Sequence, residues 1–190
     1  AGWSYWIHDC DYVSFDRVKI FAEVEYPNND GIHINSSRNV TISNSDITCG
    51  DDSIIVRANN ASLSENKVCE KVCVTNCNLT SYSGGIRIGW KNDGTIRNCS
   101  FSNIVMTDTS VGVDITLPHF LFDPEKLWTA DMGREATLIE NLSFNNIIMD
   151  NVYGEPVKIQ ITKHEETKVE AIRNLFFTDI HARGPRGIQL

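Results

Sequence analysis

Thr48-Cys49-Gly50-Asp51-Asp52-Ser53-Ile54-Ile55-Val56 decides the fold once it is set beside Asn28-Asn29-Asp30-Gly31-Ile32-His33-Ile34. Each stretch ends in a short strand pattern introduced by aspartate, and Asp30 and Asp52 stand 22 residues apart. That is about the length of one coil of a solenoid, whose repeats run from roughly 20 to 50 residues. The spacing therefore puts Asp30 and Asp52 on neighbouring coils.

The same strand pattern recurs as Ile86-Arg87-Ile88, Val113-Asp114-Ile115, Val157-Lys158-Ile159 and Ile188-Gln189-Leu190. Flanking apolar residues point inward and the middle residue points outward, as the two-residue period of a strand requires. Successive strands of this column lie 22, 32, 27, 44 and 31 residues apart, so the coils are constant in their strands and variable in their connections. A second family of segments runs Val40–Ile47, Val72–Leu79, Thr95–Phe101, Ile139–Phe144 and Ile172–Phe177, each bending at an asparagine. Written beneath one another they give three inward columns. The first holds Ile42, Val74, Ile96, Ile139 and Ile172; the second Ser45, Cys77, Cys99, Leu142 and Leu175; the third Ile47, Leu79, Phe101, Phe144 and Phe177. These columns predict an all-β parallel β-helix, one domain over residues 1–190, with coils stacked at about 4.7 to 4.9 Å. Cys77 and Cys99 become interior neighbours in this register.

Composition narrows the remaining possibilities. A net charge of −8 and a pI near 5.0 argue against binding nucleic acid, which needs a basic surface. No apolar run is long enough for a transmembrane helix, so no membrane partner is expected, and the first residues do not read as a signal peptide. The six cysteines include no CxxC pair, which disfavours zinc; buried free thiols are favoured over bridges. Residues 118–137 read as a loop insertion with a short helix, capped by Asp123, opened by Pro124 and closed by Gly133. Its Phe120, Phe122 and Trp128 are read as burying the insertion against the coil rather than stacking on sugars, and its His119 has no evident partner. Neither end resembles a cap, so the chain is read either as a segment of a longer helix, with the missing remainder of its own chain as partner, or as a helix whose ends another partner covers.

Asp30, Asp51 and Asp52 converge on one face in this register. Strict alternation would send Asp51 and Asp52 to opposite sides, and a bend at Gly50 is expected to bring both to the groove. Inverting glycoside hydrolysis needs a protonated carboxyl at the leaving oxygen and a carboxylate across the bond to activate water, roughly 6.5 to 9.5 Å apart. Crowded carboxyls also raise the pKa of at least one member.

These residues carry a resemblance. Asn28-Asn29-Asp30-Gly31 and Gly50-Asp51-Asp52 resemble the N-x-D and G-D-D motifs of the polygalacturonase-like glycoside hydrolases of family 28. The resemblance implies a right-handed parallel β-helix, secreted or periplasmic, that inverts an α-linkage of a pectin-like polysaccharide without cofactor or metal. It implies Asp51 as general acid and Asp30 with Asp52 as the pair holding the attacking water. Two later motifs differ: Ser83-Gly84-Gly85 stands where the family has G-H-G, and Asp114-Ile115-Thr116 where it has R-I-K. Candidate substrate contacts are Asn28, Arg87, Asp114, Lys158 and Tyr153, with a plain Arg87–Asp114 cross-strand pair an equal alternative. His33 is expected to face solvent beside Asp30. A catalytically silent glycan-binding β-helix, a lyase on the same architecture and a structural shaft are the competing readings.

Overall fold

The computed structural model describes residues 2–117, 133–162, 165 and 167–189. Within them every strand pairing is parallel. The short helix expected after Asp123, with His119, Phe120, Phe122 and Trp128, lies outside the described residues.

One sheet carries the outward column. It comprises β1 (Tyr5–His8), β4 (Ile32–Asn35), β7 (Ile54–Arg57), β9 (Gly84–Ile88), β11 (Val111–Leu117) and β13 (Val157–Ile161), in that spatial order. Its register runs Trp6, His33, Ile55, Arg87, Asp114, Lys158, one residue per coil, and an isolated bridge adds Gln189. The alternation expected at Ile32-His33-Ile34 and its repeats is the alternation found. A further coil lies ahead of them: β1 and β2 (Asp11–Asp16) pair with β4 and β5 (Arg38–Ser43). Its signal was present in Val13-Ser14-Phe15, which lies in register with Val40-Thr41-Ile42.

The second sheet contains β14 (Val169–Ala182), β12 (Thr137–Val152), β10 (Thr95–Thr109), β8 (Cys69–Ser81), β5 and β2. The short strands β3 (Lys19–Phe21) and β6 (Asp46–Cys49) extend it beside β8. Its long strands turn corners at asparagines in left-handed conformation, such as Asn76, Asn98, Asn103, Asn141, Asn146 and Asn174. Asparagine tolerates positive φ and bonds locally. Stacked asparagines also bond between coils: Asn141 Nδ2 donates to Asn98 Oδ1 at 3.2 Å and Asn146 Nδ2 to Asn103 Oδ1 at 2.8 Å.

The three inward columns need one correction. Phe101 pairs with Val74, and Ile96 with Cys69, so the segments from Thr95 onward slide by five residues against Val72–Leu79. The cause is a second bend in the same strand, since Asn98 and Asn103 both turn corners and either matches Asn76. Cys77 consequently lies in register with Ile104, not beside Cys99. Within Thr95–Phe101, Ile139–Phe144 and Ile172–Phe177 the columns hold, and Phe101, Phe144 and Phe177 stack face to face at 4.9 and 4.7 Å. All six cysteines are free; Cys49, Cys69, Cys77 and Cys99 are buried, Cys73 is exposed and Cys10 is intermediate. Burial raises the thiol pKa of Cys49 and Cys69 to about 12.

Candidate active site

The two aspartate motifs meet because Asn29 ties one to the other. Its Oδ1 accepts the amides of Gly50 at 2.6 Å and Asp51 at 3.1 Å, while its Nδ2 donates to the Glu23 carbonyl at 2.7 Å. Gly50 serves by closeness rather than by a left-handed bend, for its φ is not positive. A β-carbon there would lie 2.3 Å from the Tyr26 carbonyl oxygen. The backbone bends at Gly50 and Asp51, and Asp51 and Asp52 both line one cleft.

Asp51 sits at the rim. Its Oδ2 accepts the Asn28 amide at 3.1 Å and its Oδ1 the Asp52 amide at 3.0 Å, so Asn28 contributes through its backbone. Asp52 lies deeper. Its Oδ1 accepts the Ser83 hydroxyl at 2.9 Å and the Gly84 amide at 2.8 Å, and Oδ2 is 3.8 Å from Arg87 Nε. A β-carbon on Gly84 would come within 2.7 Å of Asp52 Oδ1. Glycine at the position of the family's histidine thus lets the peptide itself hold the carboxylate.

Asp30 is buried with Oδ1 lacking a hydrogen-bond partner, and Oδ2 stands 3.8 Å from His33 Nδ1. Burial, reinforced by the charges of Asp51 and Asp52, raises its pKa to about 8. Burial also raises Asp52, to about 6, against the opposing pull of Arg87. His33 departs from the solvent-facing expectation: it is only 6% exposed because the Trp3 ring covers it at 4.7 Å. Burial, then the Arg57 and His8 charges, lowers its pKa to about 3, so the imidazole is neutral.

Arg87 is clamped. Its Nη1 donates to Asp114 Oδ2 at 3.1 Å, and its guanidinium lies 4.2 Å over the Trp90 ring. The Thr116 hydroxyl holds the other Asp114 oxygen. The cross-strand pair read as the alternative for Arg87 and Asp114 is present. Lys158 follows Asp114 in the column but does not line the cleft. Tyr153 also stands away from it, its hydroxyl 3.4 Å from Asp108 Oδ1.

The aspartate cleft encloses about 300 Å³. Through Trp3, His33 and Arg57 it continues into a second pocket of about 380 Å³ walled by Trp6, His8 and Asn35. Trp3 and Trp90 line the cleft without being candidate site residues of the sequence; Trp3 precedes the first coil, and Trp90 follows β9 with no repeat partner to mark it.

The sequence profile of the glycosyl hydrolases of family 28 matches residues 4–69. A polygalacturonase of Gossypium barbadense is 30% identical over 183 residues, covering 90% of this chain and 39% of that protein. A probable polygalacturonase of Arabidopsis thaliana is 28% identical over 180 residues, 92% of this chain and 36% of the relative. Among solved structures, the polygalacturonase of Erwinia carotovora ssp. carotovora superposes on 100% of this chain and 52% of its own, with a TM-score of 0.64 at 17% identity. The family 28 exopolygalacturonase of Yersinia enterocolitica covers 85% of this chain and 38% of its own, at a TM-score of 0.52 and 17% identity. The chain thus resembles the polygalacturonase-like proteins of family 28 in sequence and has the right-handed parallel β-helix expected of that resemblance. It spans 36–39% of the length of these two plant relatives.

Proposed function

We propose that this chain is the catalytic segment of a glycoside hydrolase that cleaves α-glycosidic bonds of a pectin-like polysaccharide with inversion. The observation that carries this reading is the meeting of Asp30, Asp51 and Asp52, from two adjacent coils, at one cleft. Asp51, at the rim, gives a proton to the glycosidic oxygen as the bond from the anomeric carbon breaks. Asp52, the deeper group with the lower of the two raised pKa values, takes a proton from water, whose oxygen bonds the anomeric carbon from the opposite face. Asp30, protonated at neutral pH, donates a hydrogen bond that orients that water. No step calls on a metal. Relatives called polygalacturonases support the reaction class, and a secreted or periplasmic setting accords with a polymer substrate.

The test is reducing-sugar release from a panel of pectic and neutral α-glycans by the full-length parent protein and its Asp51→Asn variant. A roughly 10²- to 10⁴-fold loss in the variant is the expected result. Equal release by both proteins, or glycan binding with no release by either, defeats the reading.

A further inference from the structure

The two oxygens of Asp52 are held unequally. Oδ1 accepts the Ser83 hydroxyl and the Gly84 amide, while Oδ2 is met across 3.8 Å by Arg87 Nε, an ion-pair separation too long for a hydrogen bond. That Nε is a buried donor without a hydrogen-bond partner, in a side chain that lines the cleft. A buried guanidinium N–H with no acceptor is costly, and closing on Oδ2 by about 0.9 Å would satisfy both groups. The guanidinium is held from another side. Its Nη1 donates to Asp114 Oδ2 at 3.1 Å, the Thr116 hydroxyl fixes the other Asp114 oxygen, and the flat face rests 4.2 Å over Trp90. Asp52 precedes β7, Arg87 lies in β9 and Asp114 in β11, so three successive coils place one cation between two carboxylates. Asp114 stands outside the cleft lining and reaches Asp52 through Arg87. The other charged and titratable groups around Asp52 are Asp51 beside it, Asp30 ahead of β4, the buried Cys49 thiol, and His33 and Arg57 in the cleft lining; Lys158 lies one coil beyond Asp114.

Building on the hydrolase reading, we propose that Arg87 is a positioning residue for Asp52: it keeps the water-activating carboxylate charged, and Asp114 limits that hold by competing for the same guanidinium. The electrostatics agree in sign. Burial favours the protonated form of Asp52, the Arg87 charge opposes burial, and the Asp114 charge reinforces it. Removing Arg87 should therefore make Asp52 harder to ionise, and removing the Asp114 charge should make it easier.

The test is the pH dependence of kcat/KM for the full-length parent, Arg87→Gln and Asp114→Asn on the pectic glycan that the parent cleaves best. The acidic limb should rise by about one pH unit or more in Arg87→Gln, the size expected on losing an opposite charge within about 4–6 Å, and should fall in Asp114→Asn. With Arg87 already replaced, Asp114→Asn should move the limb less than it does alone, because the competition has gone. Poorer folding or weaker substrate binding lowers activity without moving the limb in opposite directions. A limb that stays in place in both single variants, or moves the same way in both, overturns the inference, as does an equal Asp114→Asn shift with and without Arg87. Should Arg87→Gln not fold, a limb lowered by Asp114→Asn upholds the inference and an unmoved one overturns it. Carboxyl-carbon NMR titration of Asp52 in the same proteins separates this inference from the hydrolase reading. Opposite displacements of that titration in proteins that release no sugar uphold the inference and sink the hydrolase; sugar release with an unmoved Asp52 titration does the reverse.

Discussion

Asp52 and Asp30 bound the pH range in which the water-activating side of the cleft works. Asp52 must be ionised to take a proton from water, so activity should fall as pH drops below about 6. Asp30 must keep its proton to orient that water, so activity should fall again above about 8. A bell-shaped profile of kcat/KM between those limits is the expected outcome, and a flat profile across pH 5 to 9 would remove Asp30 and Asp52 from the mechanism. The limbs belong to carboxyls alone, because His33 is neutral throughout and the support of Asp52 comes from a hydroxyl and a peptide amide. Much of this was legible in the sequence. The 22-residue offset between Asp30 and Asp52 placed them on adjacent coils, and the G-D-D motif marked the bend. What escaped was the environment of each side chain. The burial of His33 depends on Trp3, and the clamp on Arg87 on Trp90; neither contact leaves a spacing to read.

The strands of the second sheet are held by ladders rather than by single contacts. Phe144 lies between Phe101 and Phe177, nearly parallel to both, and is fully buried. Phe144→Ala should cost about 3–5 kcal/mol in denaturant unfolding, from lost burial and from a cavity that neighbouring coils cannot close. A loss below about 1 kcal/mol would show that the stack relaxes around the gap. The existence of these ladders could be read from the recurring Asn-x-x-Phe pattern, but their alignment could not. A bend occurs at both Asn98 and Asn103, so the segment fits its predecessor in either of two registers by local pattern alone. Burial resolves the choice. The observed register stacks Phe101 on Val74 and Met106 on Leu79, all buried, where Ile96–Met106 pairs with Cys69–Leu79.

For the molecule as a whole, the acidic cleft is a standing cost to stability that grows with pH. The folded pKa of Asp30, about 8, lies above the ordinary carboxyl value of 3.8. Its contribution to stability is therefore complete below about 4 and disappears as pH rises toward 8, and Asp52 behaves likewise up to about 6. Asp30→Asn should accordingly raise stability at pH 8 by up to about 5 kcal/mol while leaving it nearly unchanged at pH 4. Thermal or urea unfolding at both pH values checks this, and equal shifts at the two would contradict it. The unequal connections between coils carry a different consequence. Steps of 22 to 44 residues in the outward column all return to a strand in the same register. Connections of such different length leave the strands that carry the aspartates in one register. The scaffold thus separates a fixed rise per coil, which holds the aspartates together, from connections whose length is free to differ.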